Sequence, residues 1–368
     1  MAKYIHQLNH WPHFQWNESA FITLLAEVST LQGKLLGKVE LLGFQLKDEA
    51  NLETLILDVL HTSAIEGEVL NPELVRSSIA KRLGLEHTIL EHNSSKIDGI
   101  VDLMLDATQN NKKIINEERL FGWHATLFPT GRSGMYPIEV GKWRIDSIQV
   151  VSGGLGREKI HFEAPEFEKL NQEMNQFIHW FNQEAVLDPI LKAAITHLWF
   201  ITIHPFADGN GRIARALTDM QLSKADGINR RFYSMSNEIN KQKKSYYTIL
   251  EHTQKGDLDI TNWIIWFLEC LKVSIISSQI IVDKVIWKHQ FWVVNASKIN
   301  NERQQKMLNI LMDDFEGNLT TSKWAKMQKT STDTALRDIT DLLKKGILLK
   351  ANEGGRSTHY ILNKYKSK

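Results

Sequence analysis

The stretch Ile203–Leu217 reads IHPFADGNGRIARAL and constrains the chain more than any other segment of its length. Gly209, Asn210 and Gly211 permit backbone conformations closed to bulkier residues, so successive N–H groups can converge on one anion. The IARAL that follows offers a helix N-terminus, whose dipole favours negative charge. Arg212 and Arg215, spaced i, i+3, share a face of that helix, where two guanidiniums can fork onto one polyphosphate. Asp208 on the entry side can hold a divalent cation, and His204 can accept a proton near neutral pH. Upstream, Ile190, Ala193, Ala194, His197 and Ile201 share one face of a helix over 188–203, which places His204 at the end of a core element. Each residue alone has a bland reading, as a core histidine, a connecting turn or a solvated pair of arginines. A base, a carboxylate, an anion nest and two guanidiniums within twelve residues are hard to explain as structure alone.

Length sets the outer frame: 368 residues exceed one ordinary core, so two or three domains are expected. Residues 296–368 hold 14 Lys and Arg against 8 Asp and Glu, an excess of six positive charges, whereas the totals of 44 and 43 leave the remainder at minus five. A globally electrostatic partner is therefore not expected, but the C-terminus is locally basic. The single Cys270 excludes an internal disulfide framework and a cysteine zinc site. No apolar run is expected to approach the ~20 residues of a membrane span and no signal pattern opens the chain, so a cytoplasmic protein without a membrane partner is expected.

In chain order, YIHQLNHWPHFQWN comes first. His6, His10 and His13 lack regular ligand spacing, and Trp11, Phe14 and Trp16 read as anchors for an N-terminal arm. Helices are expected over 18–46 and 48–65, with Gly67 as a stop, and Asn71-Pro72 caps a short helix ending at Gly84. The polar stretch 91–98 reads as a joint. Further helices follow to about Asn110 and from Asn116, and then the texture turns β-rich: GKWRIDSIQVV and EKIHFEAP flank SGGLG, a hairpin signal. Helical pattern returns over 165–184, 188–203, 213–225, 241–254 and 260–289, where Trp263, Trp266, Phe267 and Trp287 form a packing stripe.

From Glu302 the order is three short helices and a pair of strands joined at Glu353-Gly354-Gly355, the order of a winged helix-turn-helix. Thr332–Asp341 would be the recognition helix and Arg356 would sit on the wing. Asp333, Asp338 and Asp341 place three negative charges there, which a DNA backbone would resist, so DNA binding and a protein-binding or dimerising role stay open together.

Residues 204–215, HPFADGNGRIAR, match the Fic family motif HxFx(D/E)GNGRxxR at every specified position, and the hairpin before it resembles the Fic flap that aligns target chains. The resemblance implies a mainly α fold, a Fic-type helical bundle with a β-hairpin flap, followed by the C-terminal winged helix-turn-helix. It implies transfer of AMP from ATP to a protein hydroxyl, with Mg2+. By that resemblance His204 is the general base and Asp208 binds the magnesium. Gly209, Asn210 and Gly211 make the anion hole, with the Asn210 amide on the α-phosphate, while Arg212 and Arg215 neutralise the β- and γ-phosphates. Tyr246 and Tyr247 fall where Fic proteins often place nucleotide-contacting residues, and Phe206 reads as a core anchor.

A second match lies upstream. Thr62, Glu66 and Gly67 fit the family's inhibitory pattern (S/T)xxxE(G/N), in which the glutamate pairs with the second arginine of the motif. Here that pair is Glu66 with Arg215, and a guanidinium so held cannot also receive a γ-phosphate. Ser63 and Glu66 also have capping-box spacing, but Gly67 and Pro72 mark a helix end rather than a start. The N-terminal segment resembles an uncharacterised domain that often accompanies such proteins. These readings divide the chain into an N-terminal helical domain with the inhibitory helix (1–95), a Fic domain (96–295) and a winged helix-turn-helix (296–368). They imply an autoinhibited adenylyltransferase acting on a target protein or on itself. Gly211 in place of lysine argues against the Doc-like branch that transfers phosphate. Removal of AMP, with Glu66 orienting a water, and a nucleotide-sensing DNA-binding regulator are the alternatives. Whether a partner or a homodimer contact withdraws Glu66 is left open.

Overall fold

The computed structural model describes residues 3–85, 95–153, 159–184, 187–312, 315–351 and 358–363. The chain falls into two compact units, Met1–Val282 and Asp283–Lys368. Helices dominate the first: α1 Ile22–Glu40, α2 Phe44–Ile65, α3 Pro72–Leu83, α4 Ser95–Gln109 and α5 Glu117–Leu127. Two small antiparallel pairs follow, β1 Arg132–Ser133 with β2 Tyr136–Pro137, and β3 Gln149–Ser152 with β4 Lys159–Glu163. Then come α6 Leu170–Asn182, α7 Pro189–Ile203, α8 Asn210–Asp226, α9 Met235–Lys241, α10 Lys243–Gln254 and α11 Thr261–Asn295.

Local chemistry accounts for the ends. The Asn71 carboxamide accepts from Glu73 N (2.9 Å) and Leu74 N (3.3 Å), and Pro72 fills the first turn of α3. Asp188 caps α7 in the same way, accepting from Ile190 N at 2.8 Å, again ahead of a proline. Gly67 and Gly84 take left-handed conformations (φ 83 and 68) after α2 and α3.

Several boundaries differ from the sequence reading. The first long helix breaks at Gly43, so α2 begins at Phe44. Residues 95–98, read as part of a joint, are the first turn of α4, and 91–94 lie outside the described residues. GKWRID forms no strand: the backbone N–H of Arg144 donates to Pro205 O rather than to a ladder partner. The hairpin turn at 154–158 is outside the described residues. The expected absence of a long apolar run is corrected: Thr261–Lys298 is long and apolar enough by composition to cross a membrane. Mixed residues such as Asn262 and Ser274 disguise this when runs of unbroken apolar character are sought. In the first unit this helix buries Trp263, Ile264, Phe267 and Leu271.

The N-terminal arm is pinned by its aromatics. Tyr4 meets Phe162 edge-on at 5.2 Å, and Trp11 and Phe14 meet Trp199 at 6.4 and 6.0 Å.

The second unit contains α12 Glu302–Met312, α13 Thr321–Met327 and α14 Thr332–Lys344, then β5 Leu348–Lys350 paired antiparallel with β6 Tyr360–Leu362. Its core includes Met307, Leu308, Trp324, Ile339, Leu342 and Ile347. The strand-joining residues 353–355 and Arg356 are outside the described residues. Asp338 and Asp341 do not present free charge. Asp338, 5% exposed, accepts from Arg303 Nε (2.9 Å) and Asn301 Nδ2 (3.0 Å), and Asp341 accepts from Gln304 Nε2 (2.8 Å) and Lys345 Nζ (2.6 Å).

Candidate active site

α7 delivers His204. Every residue from Ile190 to Ile203 is buried, not one face alone, because α7 lies between α6 and α8 while Trp263 Nε1 of α11 donates to Ala194 O at 2.9 Å. The helix ends on His204 in the left-handed region (φ 52, ψ 58), its N–H still reaching Phe200 O at 3.0 Å. Pro205 bars the right-handed helical conformation for the residue before it. A non-glycine residue held there costs on the order of 1–2 kcal/mol.

Arg144 holds this turn in place. It is 3% exposed; its Nε donates to His204 O (2.9 Å), Nη1 to Asp146 O (2.7 Å) and Nη2 to Pro165 O (2.6 Å), while its backbone N–H donates to Pro205 O (2.9 Å). Burial without a carboxylate lowers its pKa to about 10, still charged at neutral pH. One guanidinium thus ties both ends of the flap region to the histidine turn.

The His204 imidazole is oriented by its Nδ1, which lies 3.2 Å from Ile201 O. A carbonyl can only accept, so Nδ1 carries the hydrogen and Nε2 keeps its lone pair. Desolvation by burial lowers the pKa of the ring, outweighing the Ile201 carbonyl and the charges of Glu66 and Asp208. His204 is therefore a neutral base at neutral pH.

The loop that follows is braced internally. Asn210 closes on Phe206 with both ends of its amide, accepting from Phe206 N (2.9 Å) and donating to Phe206 O (2.8 Å). Both ends of the amide expected on an α-phosphate are thus engaged by the loop in this structure, where they fix its shape. Phe206 is fully buried and stacks on His124 at 4.3 Å, as a core anchor should. Gly209 caps α8 at φ 80, and a Cβ there would come within 2.9 Å of the Phe128 ring. The backbone amides of Asn210, Gly211 and Arg212 open α8 and have no partner within the helix. Asp208 stands beside them, accepting from Gly209 N (2.6 Å) and from Ser133 Oγ of β1.

The two arginines differ. Arg215 is 2% exposed and fully engaged by the end of α2: Nη2 donates to Glu66 Oε1 (2.7 Å) and Thr62 O (3.0 Å), and Nε donates to Thr62 Oγ1 (2.7 Å). Arg212 is also 2% exposed, yet its Nε and Nη1 have no hydrogen-bond partner among the described residues. Its Nη1 lies 3.6 Å from Glu68 Oε2 and its Nη2 4.0 Å from Asp208 Oδ1. Gly211 makes the Glu66 contact sterically feasible: a Cβ there would stand 2.2 Å from Glu66 Oε1.

Of the two tyrosines expected near the nucleotide, Tyr246 is engaged in the core and Tyr247 stays 42% exposed at the end of α2. Tyr246 is 2% exposed and its hydroxyl lies 2.8 Å from His197 Nε2, whose Nδ1 faces Thr218 Oγ1 at 3.0 Å. Complete burial holds His197 near pKa 3, so it acts as a neutral core bridge. The Tyr247 hydroxyl donates to Ile65 O at 3.4 Å, at the end of the helix that carries Glu66.

Residues 114–222 match the Fic/DOC family, and residues 4–85 match a domain of unknown function, DUF4172. The chain carries a Fic domain. It is similar to a protein named protein adenylyltransferase Fic from Nematostella vectensis, 26% identical over 206 residues covering 54% of this chain and 43% of that one. The namesake from Drosophila virilis is 27% identical over 212 residues, 57% of this chain and 40% of that one. The chain therefore spans less than half the length of these curated relatives. Among solved structures, a Fic family protein from Desulfovibrio desulfuricans superposes with a TM-score of 0.55 at 18% identity, covering 98% of this chain and all of that one. Fic-1 from Caenorhabditis elegans gives 0.50 at 22%, covering 71% and 72%. These likenesses show the fold.

Within the Fic domain, sequence reasoning missed Arg144 and Ser133. It also missed Glu68, outside the domain, whose Oε1 pairs with Lys96 (2.9 Å) while Oε2 faces Arg212. For Glu68 a signal existed, the second carboxylate of Glu66-Gly67-Glu68. For Arg144 none did.

Proposed function

We propose that this chain is an autoinhibited protein adenylyltransferase, moving AMP from ATP to a Ser, Thr or Tyr hydroxyl of a target protein or of itself. The observation that carries the reading is Arg212: a guanidinium nearly sealed from water whose Nε and Nη1 have no hydrogen-bond partner among the described residues, in the first turn of α8 on the loop that follows the neutral His204. Buried donors of that kind call for an anion. Together with the names of the relatives, this supports phosphates in the loop.

In the reaction the target hydroxyl attacks the α-phosphorus while His204 Nε2 accepts its proton. The new oxygen–phosphorus bond forms as the bond to the bridging oxygen breaks, and pyrophosphate leaves. The α8 amides and Arg212 stabilise the charge that spreads over the phosphate oxygens, the main contribution available in phosphoryl chemistry. Asp208 suits a divalent cation such as Mg2+, since its carboxylate is 42% exposed and one protein carboxylate with substrate phosphates is an ordinary magnesium set. When bound, that ion supplies charge neutralisation on the phosphates. Arg215 takes the γ-phosphate only after Glu66 has left it; as paired here, the site holds ATP in an unproductive pose or not at all.

The test is incubation with labelled ATP and magnesium. Glu66→Gly is expected to label itself or added target, and adding His204→Ala is expected to abolish the label. No label on the Glu66→Gly protein would sink the proposal.

A second reading concerns the other unit. With Asp338 and Asp341 drawn inward, the outer side of α14 carries exposed Leu336, Arg337 and Lys344 beside Asp333, a face less hostile to a phosphate backbone than its sequence suggests. This favours the winged-helix, DNA-binding regulator as a companion role. Duplex DNA binding that weakens steeply with salt and is lost in Arg337→Glu supports it, and salt-independent or absent binding refutes it.

A further inference from the structure

The flap hairpin and α10 bring together three side chains that the proposed transfer does not use. Ser152 Oγ lies 2.6 Å from His161 Nε2, and His161 Nδ1 lies 2.6 Å from Glu251 Oε2. Lys255 Nζ in turn donates to Glu251 Oε1 at 2.6 Å. A carboxylate can only accept, so the hydrogen of the ring is on Nδ1, and Nε2 offers its lone pair to the Ser152 hydroxyl. Hydrogen bonds from Lys255 and then from His161 hold Glu251 well below the usual carboxylate range, so it is charged throughout the physiological range.

The backbone is arranged to aim this histidine. Val150 pairs with Phe162 and Val151 with Ile160, which leaves His161 as the extra residue of a β-bulge. Bulges re-aim a side chain that regular pleating would send elsewhere. Phe162 next to it is 2% exposed against Tyr4, so the strand is fixed in register. An anchor between flap and α10 needs the His161–Glu251 pair alone; it does not need a serine hydroxyl on the second ring nitrogen. Lys159 stands directly opposite Ser152 in the ladder and puts a cation beside it.

We propose that Ser152, His161 and Glu251 form a second, acyl-transfer site, separate from the phosphate loop and open to small activated carboxylic esters. Ser152 is the nucleophile, His161 the base and Glu251 the carboxylate that holds the ring. Ser152 Oγ bonds to the carbonyl carbon, its proton passes to His161 Nε2, and the carbonyl electron pair moves to oxygen, next to Lys159. On collapse the bond to the alcohol oxygen breaks, and the alcohol leaves with the proton from His161. Water, deprotonated by the same nitrogen, then releases the acid and restores the serine.

The experiment treats the full chain with a fluorophosphonate probe in the absence of nucleotide; Ser152 Oγ displaces fluoride from phosphorus and the proton goes to His161. Peptide mass spectrometry is expected to find one adduct, on Ser152, absent from Ser152→Ala. His161→Gln is expected to slow labelling about 10²-fold, the usual contribution of a positioned base. Because that change can also loosen the flap, Glu251→Gln is measured beside it: it keeps the shape, removes the charge and is expected to slow labelling at least about tenfold. No adduct, an adduct that persists in Ser152→Ala, or an unchanged rate in both His161→Gln and Glu251→Gln overturns the proposal.

Discussion

Glu66 can be removed in graded steps. Its carboxylate makes one charge-assisted hydrogen bond to Arg215 at 2.7 Å, with the guanidinium 2% and the carboxylate 30% exposed. Such a bond contributes about 1.5–3 kcal/mol, and the part exposure of Glu66 argues for the lower half of that range. At about 1.4 kcal/mol per tenfold, ATP competing for Arg215 should gain roughly 10- to 50-fold when the carboxylate is gone. Glu66→Gly suits this test because position 66 lies just past the end of α2, where glycine is well tolerated. Glu66→Gln keeps the shape and a neutral acceptor, and neutral hydrogen bonds are roughly half as strong as charged ones, so it should fall between. Initial rates of AMP transfer from labelled ATP, at ATP well below saturation, are expected to rank Gly above Gln above wild type. Gln no faster than wild type beside a faster Gly would show that charge is not the restraint. A wild-type rate equal to both would show that Glu66 restrains nothing.

Three further outcomes follow from the geometry. Arg144→Ala leaves the carbonyls of His204, Asp146 and Pro165 without their donor, so it should lower unfolding stability by roughly 2–4 kcal/mol in denaturant titration and depress transfer even in the Glu66→Gly background; an unchanged midpoint refutes the clamp. His204 must be neutral to accept a proton, and its pKa is lowered from 6.5, so activity is full above the lowered value and is lost as pH falls through it. The acid limb of kcat/KM should therefore have its midpoint below 6.5, and a midpoint above that value contradicts the assignment. Gly211→Ala puts a methyl 2.2 Å from Glu66 Oε1, an overpacking of about 1–3 kcal/mol that should vanish in Glu66→Gly, where the better helix propensity of alanine remains; purely additive effects in calorimetry refute the contact.

The contiguous part of the site was legible because its chemistry is local. Gly209 at φ 80, the capping of α8 and the spacing of Arg212 and Arg215 follow from residues within a turn of one another. Glu66 could be named across about 150 residues only because a short pattern and a helix stop coincide at Gly67. What escaped is what tertiary contact decides. Arg144 works by satisfying three carbonyls that exist only once the flap, the histidine turn and Pro165 have met. Asn210 is spent on Phe206 because the loop needs a brace more than a further donor. Tyr246 faces inward because His197, on the fully buried α7, needs a partner for its second nitrogen. Asp338 and Asp341, counted as charges against DNA, are engaged by Arg303 and Gln304 of α12, contacts that no helical periodicity reveals, while Lys345 pairs Asp341 at the ordinary i, i+4 spacing.

The gated site is tested most directly by structures with ATP and magnesium bound, one of the wild type and one of Glu66→Gly. The account predicts that in the variant Arg215 Nη2 contacts the terminal phosphate and His204 Nε2 faces the α-phosphorus. In the wild type the 2.7 Å pair with Glu66 should persist and the phosphates should be displaced. A wild-type complex with that pair intact and the α-phosphorus already in line with His204 would contradict it.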